Sequence, residues 1–425
     1  MSSRERVKKA LNYQEPDRIP LDLGGSGVTG MHVSTVYKLR QALGLDAPGT
    51  PVKVIEPYQL LGEIQPDLIE ALGIDVVELT GTGTMFGFEK RDWKPWTTFD
   101  GTPVLVPGGF NTEPEPDGRI LMYPEGDTAA PPSGEMPPGG CYFDTIIRQD
   151  ALDPDNLNIE DNTEEFKLIS DEDLEYFSVE AERLFGETDK AIFASFAGLS
   201  FGDIAQVPAP WLKHPRGIRD IEEWYISLTS RRDFVKEIFE RQCEIALTNL
   251  RNIYDAVGDR ISVILVSATD FGLQTGPFLS PSAYRDLFKP YNKRINDWIH
   301  QNTPWKTFIH SCGSVLAFIP DFIEAGFDIL NPVQTAAADM DPTELKRRFG
   351  DQITFWGGGV DTQNTLPFGT PDQVREEVRE RIRTLGPGGG FVFNTIHNVQ
   401  PKVPIENVLA MYGTLREYGR YPIVR

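Results

Sequence analysis

The chain is expected to fold as a (β/α)8 TIM barrel with a β-hairpin-rich insertion after its second strand, and three observations lead to that expectation. Short apolar runs ending in Gly, Asp, Asn or His recur along the sequence, each followed by a segment of helical period. Eight such runs can be counted, enough to close a barrel rather than leave an open sheet. One of them ends in His310-Ser311-Cys312, an imidazole and a thiol two residues apart, and the mouths of α/β barrels are where chemistry collects.

The eight runs are 19–23, 76–80, 191–197, 262–270, 307–312, 329–333, 353–357 and 390–394, the last running on towards His397. The segments between them support the reading. Ser280-Pro281 starts a helix in which Tyr284, Leu287, Phe288, Tyr291, Ile295, Trp298 and Ile299 form one apolar stripe. Thr370-Pro371 starts another, with Val374, Val378, Ile382 and Leu385. Residues 86–161 depart from the pattern: they are rich in Pro and Gly, with short alternating runs at 102–106 and 119–123 set off by Asp100-Gly101 and Asp117-Gly118. This stretch reads as hairpins, either decorating the surface or capping the barrel mouth. With no internal repeat, residues 1–425 are expected to form one domain that includes the 86–161 insertion.

The 425 residues carry a formal net charge of -22, which excludes the phosphate backbone of nucleic acid and anionic membrane surfaces as partners. A small molecule or a protein partner is expected. Three cysteines, Cys141, Cys243 and Cys312, have no disulfide-like spacing, so a reducing cytoplasm fits. No apolar run reaches the roughly 18 residues a spanning helix needs, and the first residues lack the apolar core of a signal peptide. Nothing fixes the oligomeric state, and a homodimer is allowed.

In a strand, positions i and i+2 face the same way, so His310 and Cys312 can bind one ion together. Gly313 then breaks the strand. Zinc accepts both donor types, and a catalytic zinc site uses three protein ligands with one open position. His397, after the last strand run, is the candidate third ligand, and the alternative for it is a hydrogen-bonded core histidine. Asp270 ends the 262–270 run and can serve as general acid or base, as ligand, as acceptor for substrate, or as a turn cap. Asn331 and Gln334 at the sixth run are candidate substrate contacts. The run Gly357-Gly358-Gly359-Val360-Asp361 lacks the spacing of a phosphate loop and reads as a tight turn. His32, His214 and His300 have no partner pattern, and Cys243 reads as a small core residue.

Several stretches taken together resemble the uroporphyrinogen decarboxylase superfamily: RVKKALNYQEPDRIP at 6–20, Asp270 with Ser280-Pro281 and Pro290-Tyr291, His310 to Gly313, Gly358 to Asp361, Gly369-Thr370-Pro371 and PIEN at 404–407. The resemblance implies a (β/α)8 barrel and one of two chemistries, a metal-free decarboxylation of a tetrapyrrole or related acid, or zinc-dependent methyl transfer to or from a corrinoid protein. The decarboxylase branch carries an arginine-rich loop after the first strand, whereas residues 22–32 (DLGGSGVTGMH) contain no Arg or Lys. His310-Ser311-Cys312-Gly313 is similar to the methyltransferase branch. That branch implies zinc held by His310, Cys312 and His397, methylcobalamin or another corrinoid carried by a partner protein, and a small thiol acceptor or methyl-ether donor. His397 stands where thiol-activating members often have a cysteine, which leaves the methyl donor or acceptor open.

Overall fold

A computed structural model describes residues 1–153, 156–164 and 166–423. It is a mixed α/β fold around a curled sheet of seven parallel strands. In chain order these are β1 (Val76–Thr80), β2 (Ala191–Ser195), β3 (Val263–Ser267), β4 (Lys306–His310), β5 (Ile329–Asn331), β6 (Thr354–Trp356) and β7 (Phe391–Val392). Each pairs with its sequence neighbours, as right-handed βα crossovers require. Seven of the eight expected runs are therefore ladder strands.

The eighth, at 19–23, is an extended link between the two edges of the sheet. Phe393 N–H donates to Pro20 O (2.8 Å), Asp22 N–H to Phe393 O (2.9 Å) and Asp75 N–H to Leu21 O (2.8 Å). Pro20 has no N–H, and the Leu21 N–H goes to the Asp75 side chain at 2.8 Å, so a regular ladder cannot form on that side. Asp75, fully buried, also receives Arg6 Nη1 at 2.6 Å and Arg18 Nη1 at 2.7 Å, while Arg6 Nε reaches Asp17 at 2.7 Å. Arg6 and Arg18, gathered on Asp75, with Asp17 on Arg6, are thus the clasp that holds this link to β1.

Side chains alternate along the strands, and Val76, Phe193, Val263, Phe308, Ile329, Trp356 and Val392 meet inside the sheet. Val7, Ala10 and Leu11 of the helix Ser3–Leu11 join the same cluster and stopper the end opposite the strand C-termini. The apolar faces of the outer helices, such as Val374, Val378, Ile382 and Leu385 of Pro371–Leu385, pack in the surrounding core. The helix expected from Ser280 is two helices, Pro281–Leu287 and Lys289–Asn302, because Pro290 cannot donate into a continuous ladder.

Within 86–161, Lys94–Thr97 pairs antiparallel with Pro103–Val106, and Gly134–Met136 pairs antiparallel with both Ile120–Met122 and Asp144–Thr145. The stretch is not self-contained. Val52–Glu56, not foreseen as a strand, runs parallel to Pro103–Val106 and antiparallel to Leu61–Gly62. Phe86, Phe110 and Phe143 pack edge to face under these strands, tying them to the main core.

Candidate metal centre

Phe308 points into the sheet interior, so His310, two residues on, points the same way at the strand C-terminus and Cys312 follows it. Ser311 faces the other way, donating its N–H to Asn331 O (2.7 Å) and accepting Phe271 N–H on Oγ (2.9 Å). The chain then turns at Gly313, whose φ is +84°, and a Cβ there would lie 2.4 Å from the Gly272 carbonyl carbon. This backbone contact lets Cys312 N–H donate to Asp270 Oδ1 at 2.6 Å. His397 enters from the loop after β7.

The ligand atoms of His310, Cys312 and His397 all lie within 4.8 Å of one another. His310 Nε2 and Cys312 Sγ are 3.4 Å apart, and the two imidazoles stand edge to face with centroids 5.3 Å apart. Zinc with Zn–N of about 2.0 Å and Zn–S of about 2.3 Å in a tetrahedron separates its ligands by roughly 3.3–3.6 Å, so the donor set fits zinc after a small contraction. His310 Nδ1–H donates to Asn331 Oδ1 at 2.6 Å, and Asn331 Nδ2 donates to Trp356 O at 2.8 Å. The second bond fixes which end of the amide is oxygen, which in turn fixes the proton on Nδ1 and leaves the lone pair on Nε2, facing the centre. His397 differs: its Nδ1 accepts Asn398 N–H at 2.7 Å, so coordination requires a tautomer shift or a ring rotation.

Burial pulls His310 and His397 down to about 4, the latter helped by the neighbouring His310, so both rings are neutral at pH 7. Burial, with the Asp270 carboxylate second, pushes the Cys312 thiol well above its usual range. Metal binding must then displace one proton, from Cys312, and none from the histidines. Zinc affinity is expected to rise about tenfold per pH unit between roughly pH 6 and 8, measured by competition with a chromogenic chelator; a flat profile would contradict the protonated thiol. Loss of the buried Asn331 acceptor in Asn331→Ala is expected to weaken zinc by about 10–100-fold in the same assay.

The structure places Asn331 and Gln334, the expected substrate contacts, against the segments that carry His310 and Cys312. Asn331 is fully buried with both ends of its amide engaged, and Gln334 is buried with Oε1 accepting Gly313 N–H at 2.7 Å. Asn331 lies level with His310 in the strand register, so its amide meets the imidazole, and Gln334 holds the Gly313 turn. Gly357 has φ +96° and a Cβ there would meet Thr395 O at 2.8 Å, in keeping with a tight turn. Cys243 is fully buried on its helix.

Beside the centre lies a cavity of about 310 Å³, walled by Gly24 and Gly27 of the 22–32 loop and by Glu56, Glu78, Lys90 and Asp203. Sequence reasoning missed these four charged residues. Asp203 is buried and accepts from Ala205 N–H and Gln206 Nε2. Burial, then the nearby Asp270, raises it to about 7. Its signal was available, since it is a lone carboxylate in the loop after the 191–197 run. Glu56 and Lys90 come from segments with no strand-end signature.

Comparison with known proteins bears on this site because a family model described as uroporphyrinogen decarboxylase (URO-D) matches residues 204–418, half of the chain, including every residue of the centre. The chain belongs to the uroporphyrinogen decarboxylase family. Among curated relatives, uroporphyrinogen decarboxylase of Psychromonas ingrahamii is 28% identical over 177 residues, covering 39% of this chain and 47% of the relative. That of Pseudomonas syringae pv. tomato is 28% identical over 145 residues, covering 33% and 39%. The chain thus spans about half the length or less of these curated relatives. A solved structure of a methyltransferase from Methanosarcina mazei superposes with TM-score 0.55 at 14% identity, covering 98% of this chain and 99% of that one, a likeness of fold.

Proposed function

We propose that this protein is a zinc-dependent methyltransferase that exchanges a methyl group between a corrinoid carried by a partner protein and a small thiol acceptor or methyl-ether donor. The observation that carries the reading is the convergence of His310, Cys312 and His397 at the strand C-termini, with the His310 lone pair turned inward by Asn331. When bound there, zinc would hold a thiol as its thiolate or polarise an ether oxygen. The chain's own residues do the rest. Asp270 anchors the Cys312 amide, the Gly272–Gly313 contact keeps the two loops in register, and Asp203, raised to about 7 by burial, can give or take a proton near neutral pH in the cavity wall. The whole chain, 1–425, acts as one closed (β/α)8 barrel, with 86–161 as an insertion contributing Lys90 to the cavity wall. Three free cysteines suit a reducing cytoplasm. Among the described residues no helix is long and apolar enough to cross a membrane.

The names of the curated relatives favour a second reading, metal-free decarboxylation of a tetrapyrrole or related acid. Against it stands the cavity wall: the 22–32 loop brings no cation, Glu56, Glu78 and Asp203 are acidic, and Lys90 is the one basic residue among those lining it. A polyanion would lose its hydration there without compensation. The test is the cobalamin absorbance. The zinc-loaded protein is expected to demethylate methylcobalamin or its protein-bound form with a thiol, or to methylate reduced corrinoid from an ether. Carbon dioxide release from a porphyrinogen with no cobalamin change for any donor or acceptor would establish the second reading instead.

A further inference from the structure

We propose that the cavity beside the metal centre receives a small ammonium-bearing molecule, its positive charge set among Glu56, Glu78 and Asp203. The proposal rests on the methyl-transfer reading only in taking this molecule as the substrate. Three carboxyls face one ammonium, Lys90, across a space of about 310 Å³. Glu56 is engaged, accepting Gln59 N–H and Met85 N–H, and Asp203 is engaged as described above. Glu78 is not: among the described residues none lies within ion-pair distance of it, and Lys90 acts on it only from farther away.

A second observation is independent of the acids. Ser195 Oγ is buried, has no hydrogen-bond partner, and belongs to a residue lining the same cavity. A buried hydroxyl without a partner is costly, and a ligand N–H directed at it would remove that cost. Burial pushes both Glu56 and Glu78 upward, the direction expected of carboxyls whose counter-charge is missing. Two links connect the cavity wall to the centre. Its wall residue Gln59 accepts Asn398 Nδ2 at 2.8 Å, next to His397, and Asp203 feels Asp270, which holds the Cys312 amide. Tyr58 and Leu265 add apolar surface for a short carbon chain.

A compact ammonium group can belong to a thiol acceptor or to an ether donor, and two charge series separate them. Calorimetric titration of the zinc-loaded full chain at constant pH would use cysteamine, 2-mercaptoethanol and mercaptoacetate in one arm. The other arm would use 2-methoxyethylamine, 2-methoxyethanol and methoxyacetate. In at least one arm the cation should bind tenfold or more tightly than its neutral analogue, with the anion weakest, and that arm identifies the source. Glu78→Gln should erase the preference. Lys90→Met should widen it, a change of opposite sign that a folding defect cannot produce. Equal or better binding of the neutral or anionic compound in both arms, or an unchanged preference in Glu78→Gln, would overturn the proposal. The readout is separate from the cobalamin signal: cation preference without methyl transfer keeps this ligand class and overturns the catalytic reading, whereas methyl transfer with a neutral or anionic compound does the reverse.

Discussion

Replacing Cys312 with serine is expected to lower zinc affinity by at least about a hundredfold and to abolish the cobalamin absorbance change, because the softest donor leaves a three-ligand set. Stability should scarcely move. Cys312 is half-buried at the mouth, outside the packed interior formed by Phe308, Trp356 and their neighbours, so zinc-free Cys312→Ser should unfold within about 1 kcal/mol of the zinc-free wild type. His310→Ala should be equally inactive yet less stable, by about 1–3 kcal/mol, since the buried Asn331 Oδ1 loses its donor. Elemental analysis and denaturant unfolding separate the two effects. Zinc retained by Cys312→Ser at one ion per chain would mean that the centre is built from other residues.

The largest expected loss of stability lies at the clasp. Asp75→Ala removes the carboxylate that holds Arg6, Arg18 and the Leu21 amide together, and it leaves the Arg6 guanidinium, 8% exposed, with Asp17 and the Met1 carbonyl. Breaking one side of a buried ion pair costs about 3–5 kcal/mol, because the surviving charge remains desolvated. The loss should appear in equilibrium urea unfolding, and hydrogen exchange should quicken first in the 19–22 link and at Phe393, whose amide depends on Pro20 O. A loss under about 1 kcal/mol would mean that interior packing alone keeps the two sheet edges together.

Particular residues explain what could be read from the linear chain. The runs that became β1 to β7 were legible because buried parallel strands are continuous apolar stretches followed by helices of period 3.6, and both signals are local. The pair His310 and Cys312 was legible for the same reason, as a two-residue spacing on one strand face. Val52–Glu56 was missed because one of its two partners, Pro103–Val106, lies about fifty residues away in sequence, a pairing no local window contains. A polar residue at a strand end, such as Asn331, reads alike in sequence whether it faces the mouth or props a neighbour. Only the distance to His310 distinguishes the two.

The linear chain carries the strand and helix periodicities, the acidic character that turns away polyanions, the missing cations of the 22–32 loop and the candidate ligands one by one. Tertiary structure alone decided that His397, 85 residues beyond Cys312 in the chain, stands within 4.8 Å of the other two ligands. It also decided that Asp75 holds the 19–22 link, that Asn331 sets the tautomer of His310, and that Glu56, Glu78, Lys90 and Asp203 share one cavity. The physical reason is range. Propensity and amphipathicity act over a few residues, whereas convergence of the candidate ligands, burial of charge and the resulting displacement of proton affinities depend on which distant segments the curled sheet brings within a few ångströms.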